Sequence, residues 1–289
     1  MPKICFVQKK FRQEASLIIE ASNFIIQEYQ AKGMSITLRQ LYYQFVSRGM
    51  IANSQKEYNK LKNIINDARL AGLVDWTAIE DRTRNLQSTP TWASPEDIIK
   101  ASHVQYREDK WAKQPYRAEV WIEKDALLGV IENVCNEYEV PFISCRGYMS
   151  QSEMYSAVVR FVGYYEKNQR VLIIQMSDHD PSGVDMSDDI DNRINKVFGL
   201  RGWVEVRRVA LTMDQVTQFN PPPNPTKQTD TRKDNYIDKC GDESWELDAL
   251  DPTYIADLIE NEILSIRDQK LWESAVRKQD KNRKRIKIQ

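Results

Sequence analysis

Histidine and cysteine are scarce in this chain, and the scarcity decides several questions at once. Two histidines, His103 and His179, and four cysteines, Cys5, Cys135, Cys145 and Cys240, are spread over 289 residues. Four cysteines are too few for a disulfide scaffold of this length, no two of them form a CxxC pair, and two histidines make a zinc site a poor fit. Any catalytic metal must then rest on carboxylate oxygens, which favours magnesium or manganese. No apolar run approaches the roughly 20 residues of a membrane helix, and the opening MPKICFVQKKF holds too short an apolar stretch for a signal peptide. A GxxxxGKS/T phosphate loop is missing as well. These absences lead to the expectation of a cytoplasmic, nucleoid-associated protein with no membrane partner.

Net charge is nearly absent too, at -1, but it is unevenly spread. Residues 1–118 hold 18 Lys+Arg against 12 Asp+Glu, residues 119–276 hold 16 against 29, and residues 277–289 hold 7 against 1. A basic front, an acidic middle and a basic tail point to double-stranded DNA gripped by the two ends; a solvated face and a frayed terminus are the plainer reading. With 41% hydrophobic and 29% charged residues the chain is globular, and its length suits about two domains.

Apolar positions at helical spacing predict a helix over 13–32, a second capped by Thr37 and ending near Gly49, and a third capped by Ser54 and ending at Gly72. Residues 73–79 read as extended. Three short helices and a strand in a basic segment outline a winged-helix or helix-turn-helix DNA-binding domain over 1–84. A polar connector with a short helix at 94–101 occupies 85–116. From residue 117 the pattern alternates, with strands expected at 118–122, 140–144, 170–176 and 204–210. Helices are expected at 126–138, 151–166 and 183–198. That rhythm defines an α/β domain over 117–276, a mainly parallel sheet with helices on both faces. A long Pro- and Asp-rich loop is expected at 220–244, a last helix at 251–269 and a basic tail at 277–289.

Open parallel sheets bind ligands at the carboxyl ends of their strands. There the first strand ends in Glu123-Lys124 and the third in Asp178-His179-Asp180-Pro181-Ser182-Gly183. Alone, each acid reads as a solvated strand end or a helix cap. Together, Glu123, Asp178 and Asp180 form a hard-oxygen set suited to hydrated Mg2+, or Mn2+, with positions left for phosphate oxygens.

The runs VWIEKDAL at 120–127 and DHDPSG at 178–183 resemble the Toprim domain of topoisomerases, primases and certain nucleases. More narrowly, they resemble the A subunit of topoisomerase VI, its meiotic double-strand-break relative and the short stand-alone Mini-A proteins of mobile elements. That family carries a tyrosine on a winged helix in the pattern Arg, acid, aliphatic, aromatic, Tyr, and here Arg39-Gln40-Leu41-Tyr42-Tyr43 stands in its place. The resemblance implies Tyr43 as nucleophile, with Tyr42 as its alternative, and a metal on Glu123, Asp178 and Asp180. Arg39, four residues before Tyr43, is expected on the same helical face as a source of positive charge, and Lys124 is expected to touch phosphate, with a plain surface lysine as the alternative. It implies Mg-assisted transesterification leaving a 5'-phosphotyrosine link, in a homodimer whose tyrosine and metal site meet between protomers.

Two positions depart from the pattern. Gln40 replaces the acid, and Gly147-Tyr148-Met149-Ser150 replaces Gly-Tyr-Pro-Asp. Only 42 residues precede Tyr43, so the segment that engages an ATPase partner is expected to be missing. Strand passage and such a partner stay open. A Toprim nuclease using metal-bound water, with both tyrosines in the core, and a DNA-binding subunit without activity are the competing readings.

Overall fold

The second and third helices start where a capping side chain stands. In the computed structural model, which describes residues 3–33, 36–79, 89–226, 230 and 232–286, α1 spans Gln13–Ala31, α2 Leu38–Ser47 and α3 Gln55–Leu70. Thr37 opens α2 with a reciprocal cap: Gln40 N–H donates to Thr37 Oγ1 (3.2 Å) and Thr37 N–H to Gln40 Oε1 (2.8 Å). Gln40, which departs from the family pattern, thus serves as the capping partner. Ser54 caps α3 through the Glu57 N–H. The buried faces close one apolar core, built on Ile25, Ile26, Leu41, Phe45, Leu61 and Ile65.

Residues 73–79 do not form the expected strand. The Asp75 side chain accepts from Thr77 N–H and Thr77 Oγ1–H, both at 2.8 Å, and this local bonding turns the chain. Among the described residues of this segment only the isolated bridge Ile36–Ile79 remains. The three helices stand as expected, while residues 80–88, across the expected boundary at 84, lie outside the described residues.

Helix α4 (Pro95–Gln105) leads into the sheet. Strands β1 (Tyr116–Ile122), β2 (Phe142–Ser144), β3 (Arg170–Met176) and β4 (Val204–Ala210) lie in the order β2-β1-β3-β4, every pairing parallel. The expected α/β class is therefore observed. Alternate side chains serve opposite faces. Val120, Ile122, Leu172 and Ile174 pack with α5 (Leu128–Glu137) and α10 (Pro252–Ile266). Trp121, Val171 and Ile173 pack with α6 (Gln151–Tyr165) and α7 (Pro181–Asp191).

Between β4 and α10 the chain is more ordered than a loop. It forms α8 (Met213–Phe219), the short strand pair β5 (Asn224–Pro225) and β6 (Glu243–Ser244), α9 (Lys233–Cys240), and a 3-10 turn at Leu247–Ala249. The basic tail is also structured. Arg277, Lys278, Lys281 and Arg283 belong to α11 (Gln269–Arg283), so the expected boundary at 277 falls inside a helix. Asn282 and Lys278 of α11 donate to the Glu108 carboxylate (2.6 and 2.7 Å), tying α11 to the connector. Lys287 lies outside the described residues. No helix among the described residues is long and apolar enough to cross a membrane.

Candidate active site at the strand ends

The strand order reverses between β1 and β3, because β1 is followed by β2 on one side and β3 returns to its other side. Such a reversal opens a crevice beyond the carboxyl ends of the two strands. Glu123 leaves β1 there, and Asp178 and Asp180 leave β3. The Asp178 N–H donates to Glu123 Oε2 (3.0 Å), which pins the two acids together. Asp180 caps α7 by accepting from the Gly183 N–H (2.7 Å). A Cβ at Gly183 would overlap the Asp178 carbonyl oxygen, so the turn tolerates only glycine.

Asp178 is the most committed of the three. Its Oδ1 accepts from Leu247 N–H (2.9 Å) and its Oδ2 lies 2.8 Å from Lys124 Nζ. Burial, together with the Glu123 charge, pushes its carboxyl above the usual range although Lys124 pulls it down. Arg208 of β4 donates to the Asp178 carbonyl oxygen (2.9 Å), and its charge interacts with Glu123, Asp180 and Asp178. Burial lowers its guanidinium despite these acids. His179 is held away from ligation: its Nδ1 lies 2.8 Å from the Tyr236 hydroxyl, and its backbone exchanges hydrogen bonds with Trp245 (2.8 and 2.9 Å). Burial, with Arg208 nearby, lowers its imidazole to about 4.

The two tyrosines of α2 have different surroundings. The Tyr42 hydroxyl accepts from Ser54 N–H (2.8 Å) and donates to Asn53 Oδ1 (2.9 Å), so it ties α2 to the start of α3. Tyr43 is 4% exposed and lines a cavity of about 320 Å³ with Arg39, Tyr58 and Glu246. Arg39, one turn earlier, has its guanidinium carbon 5.9 Å from the Tyr43 ring centroid. Burial, and then the adjacent Glu246 carboxylate, raise the Tyr43 phenol far above its ordinary value, while Arg39 and Lys124 oppose the shift.

Two acids that the strand-end pattern does not single out join these halves. Glu246 contacts Arg39 Nη2 (2.7 Å) and Lys124 Nζ (2.8 Å). Asp248, with a side chain wholly buried, lies 3.4 Å from both Arg39 Nε and Lys124 Nζ. Burial favours the neutral form of Glu246, yet Lys124 and Arg39 overcome it and hold the carboxyl at about 2. The signal available in the sequence was Trp245-Glu246-Leu247-Asp248, charged positions alternating with apolar ones just after the long loop. Arg208 was likewise missed, being one of two adjacent arginines in a strand that also carries Glu205.

The structure thus brings Glu123, Lys124, Asp178 and Asp180 to one crevice and places Arg39 and Tyr43 beside Lys124 through Glu246. In donor chemistry, three carboxylates from adjoining strand ends fit a hard divalent cation. Among the described residues, no group of three or more His, Cys, Asp or Glu is so placed that it could hold a metal ion. With Asp178 Oδ2 on Lys124, the positive charge facing these acids comes from the protein's own Lys124 and Arg208.

Fold and site define an α/β protein with an acid cluster at the switch point of a parallel sheet and a tyrosine-bearing helical unit docked against it. No protein-family model matches the chain, and no curated protein matches it.

Proposed function

We propose that this chain binds double-stranded DNA and cleaves it by tyrosine transesterification in the manner of topoisomerase VI A-like proteins. In this reading the sheet domain is a Toprim domain and the three-helix unit serves as its winged-helix partner. The observation that supports it is the pair of contacts from Glu246 to Arg39 and to Lys124, which links the tyrosine-bearing helix to the lysine at the end of β1. Arg39 and Lys124 hold the non-bridging oxygens of the scissile phosphate. The Tyr43 oxygen bonds to phosphorus, the bond from phosphorus to the 3' oxygen breaks, and the phenol proton ends on that 3' oxygen. The product is a 5'-phosphotyrosine link and a free 3' hydroxyl. Glu123, Asp178 and Asp180 would hold Mg2+ or Mn2+, which when bound supplies Lewis-acid stabilisation of charge on the phosphate. The exposed Arg277, Lys281 and Lys284 of the α11 region, together with the basic front, supply backbone attraction for DNA. A homodimer of such chains would place one centre on each strand.

The burial of Tyr43 and its raised phenol favour a second reading, hydrolysis by water at the same acid cluster. Supercoiled DNA incubated with magnesium and then denatured separates the two. Covalent protein–DNA adducts support the transesterase, and nicking with no adduct supports the hydrolase.

A further inference from the structure

Helix α3 turns an acid-free polar stripe to solvent. Gln55, Lys56, Asn59, Lys62, Asn63 and Asn66 are all exposed, and at about 3.6 residues per turn they fall within about 120° of one another. Lys62 and Lys56 stand at the two margins, with the four carboxamides between them. Just outside, Asp67 is paired with Lys9 and Lys60 with Glu14, whereas Lys56 and Lys62 form no ion pair among the described residues. Solubility alone does not account for this composition. Asparagine is among the weaker helix formers because its amide competes for backbone groups, yet three stand here where glutamate or lysine would serve water as well. Among the described residues, the one side-chain hydrogen bond within the stripe runs from Gln55 Nε2 to Asn59 Oδ1 (3.1 Å). The stripe also begins at the candidate site. Ser54, Gln55 and Tyr58, at the start of α3, line the same cavity as Tyr43 and Arg39, and the Tyr42 hydroxyl fixes that start by accepting from Ser54 N–H (2.8 Å). A duplex whose phosphate enters that cavity therefore meets the N-terminal end of α3 first, the end from which a helix laid in the major groove contacts bases.

We propose that α3 is a base-reading helix, lying in the major groove beside the phosphate that Tyr43 attacks and selecting adenine through Asn59 and Asn63. A carboxamide accepts from adenine N6 and donates to N7, and the major groove is wide enough to admit one helix. Gln55 takes one lone pair of Asn59 Oδ1 and leaves Asn59 its Nδ2 and second lone pair for the base. Asn63 stands one turn further, about 6 Å along the helix, which is about two base-pair steps. Lys56 and Lys62, on either side, hold phosphates and set the register. The inference rests on the DNA-binding part of the proposed function and adds a site preference to it, with cuts falling beside adenine-bearing steps.

Binding without cleavage tests it. The full chain, with chelator in place of magnesium, is mixed with short duplexes carrying a randomised centre, and the bound fraction is sequenced. Selected duplexes should carry adenine at two positions about two steps apart, each giving about tenfold tighter binding than guanine there. Asn59→Ala/Asn63→Ala, which places a stronger helix former at both exposed positions, should lose that preference and keep the salt dependence of binding. Lys56→Ala/Lys62→Ala should keep the preference and lower the slope of log affinity against log salt by about 0.9 for each phosphate released. Binding with no base preference in the wild type, or an undiminished preference in the asparagine variant, overturns the inference and leaves the DNA-cleaving reading intact. Adenine-selected binding by a wild type that gives neither nick nor adduct with magnesium supports α3 as the reader and overturns the cleavage reading instead. A wild type that binds no duplex overturns both.

Discussion

Replacing Glu246 by glutamine removes one charge from the junction and keeps the side chain's size, so its cost reports the electrostatics of that residue. The Glu246 carboxyl is held at about 2 against an ordinary 4.5, because Lys124 and Arg39 outweigh the burial that would raise it. That lowering, at about 1.36 kcal/mol for each tenfold change in proton affinity, sets a ceiling of ~3 kcal/mol. Its side chain is 23% exposed, and solvent screening brings the expected value to about 2 kcal/mol. A folded-state value below the unfolded one means that the stabilisation is complete above the unfolded value of 4.5 and is lost as pH falls through about 2. Urea unfolding of wild type and Glu246→Gln should therefore differ by about 2 kcal/mol near neutral pH, with the gap narrowing as the solution is acidified below about pH 4. Two stability curves that stay parallel over that range would refute the reasoning, because the interaction removed would then not be ionic.

Other outcomes follow from the same geometry. Tyr42→Phe should cost about 1–2 kcal/mol of stability in thermal or urea melts, since its hydroxyl serves Ser54 and Asn53, and should keep cleavage. Gly183→Ala should destabilise by more than about 2 kcal/mol and abolish cleavage, because the new Cβ meets the Asp178 carbonyl oxygen; a protein of wild-type stability would contradict the turn geometry. Asp180→Asn should retain DNA affinity in a filter or gel-shift assay while magnesium-dependent cleavage falls at least about a hundredfold. Substituting Arg277, Lys281 and Lys284 by alanine should lower the slope of log affinity against log salt by about 0.9 for each phosphate that these side chains neutralise, and an unchanged slope would mean that this surface is only solvated.

The parts of the fold legible in the sequence are those fixed by local periodicity. The strands expected at 170–176 and 204–210 coincide with β3 and β4 to the residue, because β3 centres on the apolar run at 171–174 and β4 alternates valine with charged residues from Val204 to Arg207. Thr37 and Ser54 announced α2 and α3 for the same local reason. What escaped was decided elsewhere. The Asp75 side chain, bonding two residues ahead, outweighs the strand propensity of 73–79. Charge density made 277–289 read as a tail, whereas Asn282 and Lys278 anchor its helix on Glu108. Glu246 and Asp248 are over 100 residues from Lys124 and over 200 from Arg39, so no spacing rule could join them. The strand-end acids were legible because topology carries residues at successive strand ends to one crevice. Their nearest cations were only half legible: Lys124 follows Glu123 directly, and Arg208 arrives from the neighbouring strand.

The attachment site of DNA on the protein tests the central claim most directly. Wild-type protein should be incubated with supercoiled DNA and magnesium, denatured, digested with nuclease and protease, and read by mass spectrometry for peptides carrying a nucleotide. The account predicts a nucleotide linked through phosphate to Tyr43, absent from Tyr43→Phe and from reactions with chelator. DNA cut at the wild-type rate by Tyr43→Phe, with no nucleotide-bearing peptide, would contradict it.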